Sequence, residues 1–435
     1  MYVANLQISG VRGFSGSRQV DLDFTRPDGS FAGWTVLAGR NGSGKTTLLQ
    51  AIALAVSGPR NPIGSFADLW LGATAEPVDA GIRVKLTYDL ADDAADDLFT
   101  YAGYPDPIWS TLQWGQDGLP SWPQDDTRLY TLWSPKSRGW FLAGYGPFRR
   151  LSNPEIGRPG TGRWTHHQTS RTLFNEDEPL VEGVSWLVEQ HLYRLEKRPK
   201  AIALLDSVLR LLADGLLPDG LRIRHVDSDG LWVQRGSKEV PLRQMSDGYR
   251  TVTALVLDIV RQLHGAYGSL EIEERDDVPT LPYPGVVLID EVDAHLHVSW
   301  QQKIGEWLKT HFPKIQFIVT THSPYICQSA SPGGLIRLPG PDEQAPPAVA
   351  DEDLYRRIVY GSGDDAIVTE LFGVDSPYSP RADELREDLG DLEIKVLEGT
   401  ATPVEAAEYR RLSTELKSSP ATRVREVSRA LGDDS

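Results

Sequence analysis

The chain has 435 residues, 40% of them hydrophobic, and a single cysteine, Cys327, so it can fill a large core but cannot build a disulfide framework or a thiolate metal cluster within itself. Its formal net charge of −17 opposes indiscriminate binding to DNA or to an anionic membrane surface. The opening residues MYVANLQISGVRGF carry no basic end followed by an apolar stretch, and no run of about 18 apolar residues occurs, so a cytoplasmic, unexported chain with no membrane partner is expected.

In chain order, YVANLQISGV and RQVDLDF alternate apolar and polar residues as strands do, and GWTVLAG is a short apolar run that leads into a glycine-rich loop. KTTLLQAIALAVSG then has helical apolar spacing and stops at Gly58, which completes a strand, loop and helix. AGIRVKLTYDL predicts a further strand. Residues 92–140 break the pattern with acids, prolines and Trp109, Trp114, Trp122, Trp133 and Trp140, and read as a peripheral insertion whose tryptophans fill a small core. Over residues 136–171, Lys136, Arg138, Arg149, Arg150, Arg158, Arg163 and Arg171 stand against the single acid Glu155. Such a stretch suits nucleic acid, a triphosphate or an acidic partner, and equally a solvated or internally paired loop.

Helical spacing returns in VSWLVEQHLYRLEK and in AIALLDSVLRLLADG, which ends at a glycine of the C-cap type. LRIRHVDSDGLWVQRGSKEV predicts a hairpin about the turn residues SDG, and QMSDGYRTVTALVLDIVRQL passes from a polar loop into a long apolar helix. After the charged link EIEERDD, the segments GVVLIDEVDAHL, SWQQKIGEWLKTHF and IQFIVTTHS read as strand, helix and strand. RLPGPDEQAPPAVADED reads as a linker or surface loop. The tail sets Leu385, Leu389, Leu392 and Val396 at helical spacing, and its 17 acids against 9 basic residues from position 361 onward hold about half of the excess negative charge. The expected organisation is an α/β head over residues 1–330, with the insertion at 92–140 and a helical lobe carrying the hairpin at 180–265. A Pro-rich linker over 331–352 and an acidic helical region over 353–435 follow.

Four segments carry chemistry. GRNGSGKT fits G-x-x-x-x-G-K-[ST], and the strand before it and helix after it are the context that separates a phosphate loop from an incidental glycine-rich turn. Glycines let the backbone approach oxygen atoms, so Gly39, Arg40, Asn41, Gly42, Ser43, Gly44, Lys45, Thr46 and Thr47 are expected around the phosphates, with Lys45 adding charge and Thr46 a hydroxyl for Mg²⁺. VVLIDEVDAHLH is a buried parallel strand that delivers Asp290, a hard oxygen ligand for the metal, and Glu291, a base for water, at the sheet's carboxyl edge. IVTTHSP brings His322 to the same edge. MSDGYR places Ser246 and the Gly248 amide at a helix N-terminus, a second anion receptor. One polyphosphate has no need of two receptors from one chain, whereas in a dimer each helix tip can close on nucleotide held by the other copy.

The ordered set GRNGSGKT, MSDGYR, LIDEVDAHLH and TTHSP resembles the ABC-type ATPase heads of the RecF, SMC and OLD-like group. SDGYR followed by LIDEVDAHLHVSWQ, together with AGYGPFRRLS, looks most similar to stand-alone ATPases of bacterial antiphage systems, Septu ATPase subunits among them. The resemblance implies a mixed sheet with flanking helices and an interrupted helical lobe. It implies ATP and Mg²⁺ held between two heads, with Lys45, Glu291 and His322 catalytic, Thr46 and Asp290 on the metal, and Ser246, Asp247 and Gly248 reaching the γ-phosphate in trans. Asp293 then corresponds to the loop that communicates across the dimer, and Arg12 to a position near the nucleotide. Asp247 departs from the more usual small residue, and the glutamine that couples metal to lobe is left unassigned, Gln50 reading as structural. The implied function is a Mg²⁺-dependent ATPase, a homodimer or larger, acting as the switch subunit of a defence complex that controls a separate effector such as a nuclease. The alternatives are a RecF-like repair ATPase that binds DNA through Arg149, Arg150 and Arg163, and a non-hydrolysing ATP-bound scaffold. No sustained heptads support an SMC-like arm, and His295 and His297 lack a third ligand for a metal site.

Overall fold

The computed structural model describes residues 1–58, 80–87, 107–115, 117–123, 129, 140–147, 149, 170–175, 180 and 182–416. They fall into two compact units, Met1–Asp351 and Glu352–Ser435.

Two sheets enclose one helix in the first unit. The antiparallel sheet contains β1 (Tyr2–Ser9), β2 (Val20–Asp23), β4 (Gly81–Thr87), β5 (Ile108–Trp114) and β6 (Pro120–Ser121), in the order β2-β1-β4-β5-β6. Its strands bury one face, as their alternation requires. The second sheet has the order β16-β15-β3-β14-β13-β7, made of β3 (Gly33–Ala38), β7 (Leu142–Tyr145), β13 (Gly285–Ile289), β14 (Ile315–Thr321), β15 (Leu335–Arg337) and β16 (Ala348–Val349). All of these neighbours run parallel except the edge strand β16. β13 and β14 are buried at every position, which is why GVVLI and IQFIVTT read as near-continuous apolar runs rather than alternating ones. Helix α1 (Lys45–Ser57) shares one core with Leu6, Ile8, Val84 and Leu112 from the first sheet and Leu37, Val286, Leu288 and Ile318 from the second. Covered on both sides, it is apolar almost all round. Its one large polar residue in mid-helix, Gln50, donates to the Leu173 carbonyl at 2.9 Å.

The lobe consists of α2 (Glu182–Leu195), α3 (Pro199–Ala213), a three-stranded sheet of β8 (Arg222–Asp227), β9 (Gly230–Arg235) and β10 (Lys238–Pro241), and α4 (Asp247–Tyr267). The expected hairpin turns at residues 228–229, where the Asp227 carboxylate accepts from the Asp229 amide and the Trp232 indole, each at 2.8 Å. The charged link before β13 is itself a small hairpin, β11 (Glu273–Arg275) with β12 (Val278–Thr280), whose turn residues Asp276 and Asp277 both have positive φ, 52° and 63°. Helices α5 (Val298–Gln301), α6 (Ile304–His311) and α7 (Pro324–Cys327) complete the unit.

Two expected boundaries differ. Part of the span read as an insertion, β5, pairs with β4 along six residue pairs and buries Trp114 in the core. The stretch read as a linker supplies β15, next to the phosphate-loop strand β3, so the first unit runs to Asp351. Proline and glycine content marks a turn-rich path, and the three residues Leu335 to Arg337, two of them apolar, are enough to add a strand to the sheet within it. Trp133 and most of the basic stretch lie outside the described residues.

The second unit is helical as expected: α8 (Glu352–Val359), α9 (Gly363–Ile367), α10 (Pro380–Leu397) and α11 (Pro403–Glu415). Thr402 and Glu405 form a capping box on α11. Lys395 pairs with Glu405 at 2.8 Å and Tyr409 donates to Glu393 at 3.3 Å, joining α10 to α11. Leu389 and Leu412 are buried, while Leu385, Leu392 and Val396 are half-buried. No helix among the described residues is long and apolar enough to cross a membrane.

Candidate nucleotide site

The phosphate loop lies between β3 and the first turn of α1. Gly42 and Gly44 have φ of 77° and 95°, a region that excludes most side chains. A Cβ on Gly44 would stand 2.4 Å from the buried Phe14 ring, and one on Gly39 would stand 2.3 Å from the Leu338 carbonyl oxygen. Phe14 is delivered by the tight turn Val11 to Phe14, which also carries Arg12 at φ 44°, its guanidinium pKa lowered by partial burial. The loop is therefore held from one side by the β1–β2 turn and from the other by the segment after β15. Lys45 is buried, and its Nζ donates to the loop's own carbonyls, Gly39 at 2.8 Å and Arg40 at 3.1 Å. Burial lowers its pKa, with the carboxylates of Asp290, Glu291 and Asp293 opposing. Arg40 faces Asp342 at 3.3 Å in an exposed pair worth little stability. Asn41 and Gly42 are exposed, Ser43 is buried, and Thr46 and Thr47 are half-buried.

Across from the loop, the Thr46 hydroxyl donates to Asp290 Oδ2 at 2.8 Å, and Asp290 Oδ1 accepts from the Thr320 hydroxyl. The Glu291 amide donates to Thr320 Oγ1 at 2.7 Å, and Asp293 Oδ1 accepts from the Thr321 hydroxyl and, at 3.4 Å, from the His322 amide. Two threonines of β14 thus fasten the turn that follows β13. Arg149, 1% exposed, donates to four carbonyls: Gly146 at 3.1 Å, Asp290 at 2.7 Å, Glu291 at 2.8 Å and Val292 at 3.4 Å. Burial lowers its pKa to about 10 against the pull of Asp290, Asp293 and Glu291, so it stays cationic at neutral pH. Glu291 itself has φ 44°, left-handed for a non-glycine residue. His322 is exposed, and its pKa is lowered first by partial desolvation and then by the Lys45 charge, with Asp293, Glu291 and Asp290 opposing, which keeps the imidazole neutral at pH 7.

A threonine hydroxyl and a carboxylate at hydrogen-bond distance are hard oxygen donors, and such a pair fits Mg²⁺ shared with phosphate and water oxygens. His297 is occupied otherwise, its Nδ1 accepting from the Ser299 amide at 3.3 Å as the cap of α5.

The tip of α4 is built differently. Ser246 is the N-cap residue, exposed and without a side-chain capping bond, and Asp247 pairs with Arg250 at 3.0 Å. A Cβ on Gly248 would come within 2.7 Å of the His295 carbonyl, so the tip abuts the turn that carries Asp293. Farther along, a buried network joins α4 to β7: Tyr145 donates to Asp258 at 2.9 Å, Gln262 donates to the Tyr145 oxygen at 3.0 Å, and Arg261 grips Asp258 at 2.8 and 2.9 Å. The fold brings Lys45, Thr46, Asp290, Glu291, Asp293 and His322 into one cluster, and sets Ser246 and Asp247 at the exposed helix tip beside it.

Thr320, Thr321 and Arg149 carry this cluster and were not expected in it. The threonines stand in TTHSP, where a polar pair ending an apolar strand was the available signal. Arg149 corrects an expectation: as a buried ligand of backbone carbonyls it cannot contribute to a DNA-facing patch. Counting cations in a window does not separate a guanidinium that meets water from one whose two terminal nitrogens satisfy buried oxygens. Arg150 and Arg163 lie outside the described residues.

Fold and site together have the arrangement of a P-loop nucleotide-binding head. Residues 5–91 match a family profile described as an AAA domain, and residues 150–328 match one described as "AAA domain, putative AbiEii toxin, Type IV TA system". Septu protein PtuA of Bacillus mycoides is 28% identical over 318 residues, 72% of this chain and 37% of that protein. The Retron Ec83 probable ATPase of Escherichia coli is 42% identical over 99 residues, 23% of this chain and 17% of that protein. The chain is thus related to Septu and retron ATPases, the antiphage group its motifs resemble. It spans well under two thirds of the length of these relatives. Among solved structures, the SMC head domain from Thermotoga maritima aligns with a TM-score of 0.44 at 14% identity, over 81% of this chain and 100% of that one.

Proposed function

We propose that the chain binds ATP with Mg²⁺, closes as a homodimer around it, hydrolyses it, and serves as the switch subunit of an antiphage complex that governs a separate effector, such as a nuclease. The observation that carries this reading is the 2.8 Å contact of the Thr46 hydroxyl with the Asp290 carboxylate, with Glu291 next in the chain. Bound at this pair, Mg²⁺ would neutralise charge on the outer phosphates. Lys45 exchanges the Gly39 and Arg40 carbonyls for phosphate oxygens, and the loop amides of residues 39–47 and the start of α1 surround the rest. Glu291 orients a water molecule and takes its proton, while neutral His322 hydrogen-bonds the γ-phosphate or that water. Ser246, Asp247 and Gly248 of a second copy close the far side of the phosphates, their partner contact running past Asp293, and Arg12 flanks the nucleotide. Phosphoryl transfer depends mainly on positioning and charge stabilisation, so cleavage waits for the second copy and the dimer reports the nucleotide state.

The test is phosphate release by purified protein, alone and with duplex DNA, read together with sedimentation in the presence and absence of ATP. Turnover that requires Glu291, with dimers that form only with ATP, supports the proposal. ATP held without turnover in any condition supports the scaffold instead, and ATP-dependent DNA binding that weakens with salt supports the repair reading. Protection against phage that is lost when either this chain or a neighbouring nuclease gene is inactivated ties the switch to an effector.

A further inference from the structure

Resting on the hydrolytic reading above, we infer that Arg149 is a positioning residue: it holds the Asp290–Glu291–Val292 backbone in the turn that aims the Glu291 carboxylate, and ties that turn to helix α4.

Left-handed φ at Glu291 is unfavourable for a residue with a side chain, so something must fix it. The turn is fastened on one side by β14, where the Glu291 amide donates to the Thr320 hydroxyl and the Val292 amide to the Thr320 carbonyl at 3.0 Å. Those bonds engage N–H groups only. The three successive carbonyls, of Asp290, Glu291 and Val292, all turn to a single guanidinium, whose rigid fork can serve several acceptors at once. No water-exposed role competes for that group, because it is 1% exposed. Arg149 is placed by its own surroundings. It follows β7, whose Tyr145 carbonyl receives the Asp290 amide at 2.8 Å, and its carbonyl accepts from the Thr251 hydroxyl of α4 at 3.4 Å. Tyr145, four residues before Arg149, is bonded to Asp258 in the middle of the same helix. A shift of α4, whose tip is the expected contact with a second copy, is therefore carried to the backbone of Glu291 through β7 and Arg149.

Arg149→Lys keeps the charge and the stem but offers a single nitrogen in place of the fork. The expected result is a kcat for ATP lower by ~10–100-fold with KM changed less than about threefold, since a displacement of one ångström costs this much in rate without touching ground-state binding. In a Glu291→Gln background the same change should add almost nothing to the loss, because both act on one function. Hydrogen exchange should rise at the amides of residues 290–293 and stay unchanged in α1. An Arg149→Lys protein with ordinary kcat and unaltered exchange overturns the inference, as does one in which KM rises in step with the rate loss. If wild-type protein shows no turnover, the hydrolytic reading fails, and the exchange pattern alone still decides whether Arg149 holds the turn. Should Arg149→Lys not fold, Arg149→Lys/Glu291→Gly is measured by thermal unfolding. Glycine tolerates the left-handed turn, so recovery of a folded protein supports the inference and an equal failure overturns it.

Discussion

The nucleotide loop and the tip of α4 are both expected to meet phosphate, and they are built in opposite ways. Around the loop, most of the charged groups are already engaged within the chain, Lys45 with carbonyls, Asp290 with Thr46 and Thr320, Asp293 with Thr321, and Arg149 with the turn, while the buried Ser43 hydroxyl has no partner. At the helix tip, Ser246 is exposed and caps nothing with its side chain. A pocket whose parts are internally satisfied keeps its shape before ligand arrives, whereas donors at a bare helix end gain a partner only from outside. On the proposed reading the contrast teaches where assembly would enter the chemistry: one half of the site is finished by folding, and the other would be finished by a second copy.

That contrast can be broken in four ways. The largest effect is expected from Glu291→Gln, which should lower kcat by ~10²–10⁴-fold, the range of a lost general base, while ATP binding measured by calorimetry persists. Next is Ser246→Arg, which should lower turnover by ~10²-fold and abolish ATP-dependent dimers without weakening nucleotide binding to the single chain. Normal turnover in this variant would remove the helix tip from the mechanism. Gly44→Ala should cost about 2–3 kcal/mol of stability, because the new methyl meets the Phe14 ring at a positive φ, and it should weaken ATP binding as well. Thermal unfolding reads the first effect, and partial recovery in Gly44→Ala/Phe14→Leu would confirm the collision. The smallest effect concerns acid. The folded His322 pKa lies below its unfolded value, so the unfolded chain takes up the proton first and stability falls as pH drops from about 7 towards 5. Over that window the wild-type melting temperature should fall more than that of His322→Gln, and equal slopes would deny the imidazole its neutral role.

Much of this architecture was legible in the sequence because its signals are local. GWTVLAGRNGSGKT is a strand, a phosphate loop and a helix start in direct succession, and LIDE and TTHSP mark carboxyl ends of parallel strands. The hairpin at SDG and the capped helices of the tail follow from turn and cap chemistry in the same way. What escaped depends on partners distant in sequence. Leu335 to Arg337 look like part of a linker until β3 is seen to need a neighbour. Arg149 looks like a surface cation until the carbonyls of residues 290–292 converge on it. Thr320 and Thr321 gain meaning only when the turn after β13 lies beside them.

The position of β3 has a consequence for how the protein is made. This early strand is flanked on one side by β14 and on the other by β15, both translated near the end of the first unit. Until those segments leave the ribosome, the apolar GWTVLA run has no sheet to join and its glycine loop no fixed form, a delay typical of long-range strand pairing. Nucleotide therefore has no formed loop to bind on the nascent chain, and a protein cut short before Ile315 should leave that run available to chaperones and proteases.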